Sequence, residues 1–175
     1  GDIIHGIHHF VRKSEGTRRA VNLNEVILEV LRLLHSDLLG RATAVETHLA
    51  PNLPSINADP VQLQQILLNL LMNSLEAMQL TPAEKRGILI TTKCEADSVV
   101  TSVRDHGPGL AKDEPNKVFT HFYSTKPSGM GMGLTIVRSI VESHGGELGV
   151  ENTDEGARFF FRLPIAAKNE TREVA

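Results

Sequence analysis

The hydrophobic positions alternate between a helical period and a period of two along the chain, and the changes divide it into elements. Leu63, Ile66, Leu67, Leu70, Leu71 and Met78 recur at three- and four-residue spacing, which predicts a helix packed on a core. Asp59 is placed to cap it, and Pro60 suits its first position. The same period in Val26, Ile27, Val30, Leu31 and Leu34 predicts a helix over 25–39, capped by Asn24, ended by Gly40 and preceded by a short strand at 21–23. Ile3, Ile4, Ile7, Phe10 and Val11 draw a third amphipathic stripe over 3–15, broken at Gly16-Thr17, whose seam calls for another helix to pack on.

Between these helices the period is two. Residues 44–49 alternate as a strand does, and Pro51-Asn52-Leu53-Pro54 forms a turn. Ile88, Ile90 and Thr92 alternate with Leu89 and Thr91, and Val99 to Arg104 supplies a partner strand across a turn near Asp97. Helical spacing returns over 132–144 and stops at Gly145-Gly146; residues 147–152 and 157–163 then read as a hairpin around Asp154-Glu155-Gly156. Residues 110–128 match no element but hold Phe119, Phe122 and Tyr123, the character of a functional lid. Residues 168–175 read as a disordered polar tail.

Composition narrows the classes. A chain of 175 residues, 41% hydrophobic, can bury one ordinary core. Its net charge of −3 gives no basic field for nucleic acid. No apolar run reaches the roughly 18 residues that a membrane helix needs, so no membrane contact is expected. The lone Cys94 excludes an intrachain disulfide and is expected to be a buried thiol. His5, His8 and His9 cluster without acidic partners, which argues against a metal there. With no initiator Met and a start inside helical pattern, the chain is expected to be a piece of a larger protein.

Three motifs carry chemistry. Asn69 and Asn73 interrupt the helix over 60–78 four residues apart, about one turn or roughly 6 Å, with Glu76 three further on. A buried amide without partners costs about 1–3 kcal/mol, so a helix with two on one stripe usually gives them something to hold. The helix pattern alone fits equally a solvated stripe extending Gln62 and Gln65. Asp105-His106-Gly107-Pro108-Gly109 follows a strand directly. There a carboxylate can accept a hydrogen bond while glycines bring the backbone close to a ligand, although the same run serves as a common turn. Gly129-Met130-Gly131-Met132-Gly133-Leu134 opens a helix, so free backbone N–H groups and the positive dipole end suit phosphate. It is not the dinucleotide fingerprint, because no strand leads into it and its spacing is GxGxG.

In this order the motifs resemble the ATP-binding catalytic domain of sensor histidine kinases, in the superfamily shared with gyrase B, MutL and the large heat-shock chaperones. The resemblance runs from about Val21 to Pro164. Residues 69–76 look like the N box, Asp105, Gly107 and Gly109 like the first glycine box, 119–126 like the F box and 129–134 like the second glycine box; the stretch 122–134 is closest to oxygen-sensing and nitrogen-regulating kinases. The resemblance implies an α/β two-layer sandwich, the Bergerat fold, with a mixed sheet of about five strands on three helices and a flexible ATP lid. It divides the chain into 1–19, the end of a dimerisation and histidine-phosphotransfer hairpin, 20–166, the ATP-binding domain, and the tail 167–175.

It further implies ATP and Mg²⁺ as cofactors. Asp105 would accept the adenine amino group. Asn73, with Asn69, would hold Mg²⁺ against phosphate oxygens. Gly107, Gly109, Gly129, Gly131, Met132, Gly133 and Leu134 would shape the nucleotide site, and Lys126 would reach the terminal phosphate. Leu110, Met130 and Met132 read as packing in their side chains. Partners would be the histidine-containing dimerisation domain of the same protein, homodimeric in the parent, and a response regulator receiver domain. The location would be cytoplasmic, the parent anchored or soluble. No phosphoacceptor is expected in this piece, since none of the eight histidines precedes an acidic residue. The alternatives are a nucleotide-binding module without catalysis, and a gyrase B or MutL type ATPase. The latter is disfavoured because Asn69 stands where those enzymes carry the carboxylate that activates water. Two departures from the family pattern are Ala157, where a Thr is common, and His121, where Pro is common.

Overall fold

A computed structural model describes residues 17–110 and 133–166. The expectations for 1–16, for 111–132 (most of the lid, with Lys126, Gly129, Gly131 and Met132) and for 167–175 fall outside the described residues.

The elements run in chain order: β1 (Arg19–Val21), α1 (Leu23–Leu33), α2 (His35–Gly40), β2 (Ala44–Leu49), β3 (Ile56–Ala58), α3 (Pro60–Ala77), β4 (Gly87–Glu95), β5 (Ser98–Asp105), α4 (Gly133–Ser143), β6 (Glu147–Asn152) and β7 (Ala157–Pro164). The main sheet has the order β2-β4-β5-β7-β6, parallel only between β2 and β4. One face is covered by helices. Leu23, Val26, Ile27 and Val30 of α1, the apolar stripe of α3, and Val137, Ile140 and Val141 of α4 bury against Ile88, Ile90, Val99, Val103, Phe159 and Phe161. The expected α/β two-layer sandwich on a mixed five-stranded sheet is the observed architecture.

Four details differ from the sequence reading. β1 and β3 pair into a second, two-stranded sheet; β3 is too short for period two to reveal it, and pairing with β1 supplies its reason to exist. The helix expected over 25–39 is two helices broken at Leu34, and the break leaves Leu34 and Leu38 buried with Leu33 and Leu39 exposed. Asn22, not Asn24, caps α1, its side chain accepting from the Asn24 N–H at 2.9 Å. Asn24 instead staples layers together: its Nδ2 donates to the Ala50 carbonyl at 2.8 Å, and its Oδ1 accepts from Thr92 Oγ at 2.8 Å. Cys94 is exposed, not buried. It sits opposite buried Val99, but β2 pairs with β4 only as far as Thr92, so no flanking strand covers it.

α3 follows its prediction closely. Asp59 accepts from the Val61 N–H at 2.9 Å, Pro60 opens the helix, and eight of its side chains are buried. Buried His144, at the end of α4, ties that cap to its neighbour. Its Nε2 takes the Asp59 N–H at 3.3 Å while Nδ1 donates to the Ile140 carbonyl at 2.8 Å, an arrangement that fixes the neutral Nδ1–H tautomer.

Candidate functional site

β5 ends at Asp105, whose register opposite Ile88 turns its side chain to the helix-covered face of the sheet. Only 1% of the residue is exposed. Oδ1 accepts the Gly107 N–H at 2.9 Å and the Ala157 N–H at 3.4 Å. Oδ2 is buried without a partner among the described residues. Burial pushes the carboxyl above the ordinary carboxylate range, against the opposing pull of the Gly107 and Ala157 amides and of His106. A carboxylate so placed is an acceptor with one lone-pair edge fixed by the fold and the other available to a donor.

The wall beside it is the β6–β7 turn, which the sequence placed as a hairpin around Asp154-Glu155-Gly156 without giving Gly156 a part in the site. Gly156 passes so close that a Cβ there would lie 2.1 Å from the Asp105 carbonyl oxygen, so no side chain fits. Thr153 closes the turn, its N–H and Oγ both donating to the Gly156 carbonyl, at 2.8 and 3.1 Å. The side chain that a Thr would offer at 157 is absent, but the Ala157 backbone still reaches Asp105. Gly109 has φ of 77°, a conformation that favours glycine. Asn152, also missed, bonds both backbone groups of Leu110, which is packed on the core rather than on a ligand.

The second part of the site lies on α3. Asn69 and Asn73 are half-buried, and Asn69 Oδ1 faces the start of α4, 3.7 Å from where a Gly133 Cβ would stand. Asn69 Nδ2 is buried with no partner among the described residues, as is Oε1 of Gln65 one turn earlier. The solvated-stripe alternative therefore fails for Gln65, which is 5% exposed. The structure brings together the Asn69 amide and the Gly133-Leu134 end of α4, and, separately, Asp105 with Gly107 and the C-terminus of α3. A Cβ on Gly107 would lie 3.1 Å from the Ala77 carbonyl oxygen.

The amide oxygens are suited to a hard cation that keeps phosphate and water as its other ligands. Among the described residues no group of three His, Cys, Asp or Glu side chains could hold a metal by itself, so a cation here would depend on ligand oxygens. Among the described residues no helix is long and apolar enough to cross a membrane.

Comparison with known proteins accounts for this geometry. Residues 58–167 match the family model described as histidine kinase-, DNA gyrase B- and HSP90-like ATPase. The sensor protein TdiS of Thauera aromatica is 39% identical over 168 residues, covering 94% of this chain and 31% of TdiS. The sensor protein FixL of Bradyrhizobium diazoefficiens is 37% identical over 171 residues, covering 97% of this chain and 34% of FixL. The chain thus spans about a third of the length of these curated relatives. Among solved structures, the nucleotide-free catalytic domain of histidine kinase ThkA aligns with a TM-score of 0.77 at 32% identity, over 85% of this chain and 96% of that one. ThkA in complex with the response regulator TrrA gives 0.76 at 27%, over 94% and 48%. Full-length ShkA in complex with AMPPNP gives 0.77 at 30%, over 89% and 32%.

Proposed function

This chain belongs to the family of histidine kinase-, DNA gyrase B- and HSP90-like ATPases, and from that premise we propose that it binds Mg-ATP and passes the γ-phosphoryl group to a histidine of its parent sensor kinase. The observation that carries the reading is the Asp105 carboxylate, buried at a strand end with Oδ2 unpartnered. A carboxylate accepts from the adenine amino group, whereas guanine offers a carbonyl at that position. The likeness of this chain to sensor kinases, one of them solved with an ATP analogue, supports the same reading.

Each residue has a defined task. Asp105 receives the base, its orientation held by the Gly107 and Ala157 amides. The N-terminus of α4, from Gly133 and Leu134, presents N–H groups and the positive dipole end to phosphate oxygens. Lys126, Gly129, Gly131 and Met132 extend that cradle by the family resemblance. Asn69 and Asn73 hold the cation through their amide oxygens; Mg²⁺ when bound neutralises charge on the phosphates. Phosphoryl transfer depends mainly on such positioning and charge neutralisation, so a domain without the acceptor binds nucleotide but has nothing to phosphorylate.

The acceptor histidine belongs to a dimerising hairpin of the parent and is absent from this piece, with 1–19 as the hairpin's end and linker; a response regulator receiver domain then takes the phosphoryl group, in the cytoplasm. ThkA, which this chain resembles, was solved with its response regulator.

The test adds labelled ATP to the chain alone and then with the parent's histidine-containing domain. Label on the added domain and none on the chain is expected. Acid-labile, base-stable label on the chain alone would show that one of its own histidines is an acceptor. Binding of ATP without transfer to the added domain would leave a regulatory module instead of a kinase.

A further inference from the structure

β5 ends at Asp105, and beyond the His106 N–H, which donates to the Gly87 carbonyl of β4 at 3.2 Å, the loop 106–110 forms no strand pairing among the described residues. Its far end is nevertheless held. At the last residue of β6, Asn152 turns its amide onto Leu110: Oδ1 accepts the Leu110 N–H at 2.7 Å and Nδ2 donates to the Leu110 carbonyl at 2.8 Å. One planar side chain thus satisfies both backbone groups of a residue 42 positions away, as a neighbouring strand would. The fit requires glycine next door, since a Cβ on Gly109 would stand 2.9 Å from Asn152 Oδ1. The same turn also holds the loop's near end, where the Ala157 N–H meets Asp105 Oδ1. A single hairpin end, 152–157, therefore fixes both ends of the loop that carries Gly107 and Gly109.

We infer that Asn152 is a positioning residue for nucleotide binding: its two-point hold on Leu110 sets the course of the loop 106–110 beside Asp105. This rests on the adenine reading of Asp105. Asn152 itself is exposed, so its truncation opens no cavity and leaves the hydrophobic core intact. Its effect belongs at the base end of the nucleotide and falls equally on ATP and ADP.

Asn152→Ala removes both bonds, and with each worth a few-fold, the Kd for ATP and for ADP is expected to rise together by about tenfold. Exchange of the Leu110 amide, read by hydrogen-exchange NMR on the full chain, is expected to accelerate by at least about tenfold. Asn152→Asp keeps an acceptor for the Leu110 N–H but sets a carboxylate oxygen against the Leu110 carbonyl in place of the donor, so Leu110 exchange and both Kd values are expected to rise together. Asn24→Ala, which breaks a similar amide staple in another part of the fold, is expected to lower Tm while both Kd values stay unchanged.

Faster Leu110 exchange in Asn152→Ala with unchanged Kd would make the hold structural only and overturn the proposal. Unchanged Leu110 exchange would overturn it by showing no hold in solution. A wild-type chain with no adenine-nucleotide affinity would remove the Asp105 reading itself, whereas a wild type that binds beside an equally binding Asn152→Ala would remove this inference alone.

Discussion

The two halves of the site are held in opposite ways. At the sheet end, Asp105 is fixed by two backbone amides, flanked by a turn with no room for a side chain, and faced by a loop pinned at both ends. On α3, Asn69 and Gln65 each carry a buried atom with no partner among the described residues. The strand end borrows rigidity from backbone groups already ordered by β7 and by the loop that follows β5. A helix has no free backbone groups in its interior to lend, so polar side chains there must find partners elsewhere or wait for them. Each unpartnered buried atom costs about 1–3 kcal/mol, which ligand contacts at Asn69 would recover. On the proposed reading, the base end would be largely built before a nucleotide arrives, and the phosphate and cation end would be completed by it.

The sharpest break in this comparison is expected on the helix side. Asn73→Asp replaces a neutral amide oxygen by a charge at the phosphate end, and phosphoryl transfer to a supplied histidine domain should fall by about 100-fold or more. Wild-type transfer rates in that variant would remove the cation role.

Next in size is the turn. Gly156→Ala places a methyl group 2.1 Å from the Asp105 carbonyl oxygen, so backbone must move. Stability is expected to drop by about 3 kcal/mol in urea unfolding. A loss below about 1 kcal/mol would show that the wall is soft.

Asp105→Asn separates function from stability. ATP affinity measured by calorimetry should fall at least about tenfold and the preference over GTP should vanish. The pH dependence gives an independent reading. The folded carboxyl titrates above its unfolded value, so the folded state binds more protons in the window between the two. Stability contributed by this group is therefore full below the ordinary carboxylate range and is lost as pH rises through the raised value. Asp105→Asn should abolish that slope and be at least as stable as wild type at pH 7. A steeper decline in the variant would contradict desolvation as the cause.

The smallest effect is expected at Gln65. Its Oε1 has no partner, so Gln65→Met, similar in length, should change stability by less than about 1 kcal/mol, in the favourable direction. A loss of about 2 kcal/mol would reveal a partner for that oxygen in solution.

Much of this molecule was legible from residue order. The period of three to four fixed α3 together with its cap at Asp59, because an amphipathic stripe and a capping carboxylate are local properties. Period two located β4 and β5, and the glycines around Asp105 marked the site because they sit together in sequence. Even so, Leu34 breaks a stripe that looked continuous, and Cys94 is exposed though its strand position faces the buried side. Both outcomes depend on what lies opposite, which local pattern does not contain. β3 exists because β1 pairs with it across 35 residues of chain, from Val21 to Ile56. The tasks of Asn152 and Gly156 were invisible for the same reason: an asparagine at a strand end and a glycine in a turn are ordinary until the fold brings the first onto Leu110, 42 residues away in sequence, and the second against the carbonyl of Asp105. Sequence alone determined the main helices and strands and placed the candidate binding residues on them, since periodicity and capping act within a few residues. Tertiary structure alone decided which backbone groups hold Asp105 and which amides on α3 go unpartnered, since those contacts join residues that only the closed sheet and its helices bring within hydrogen-bond reach.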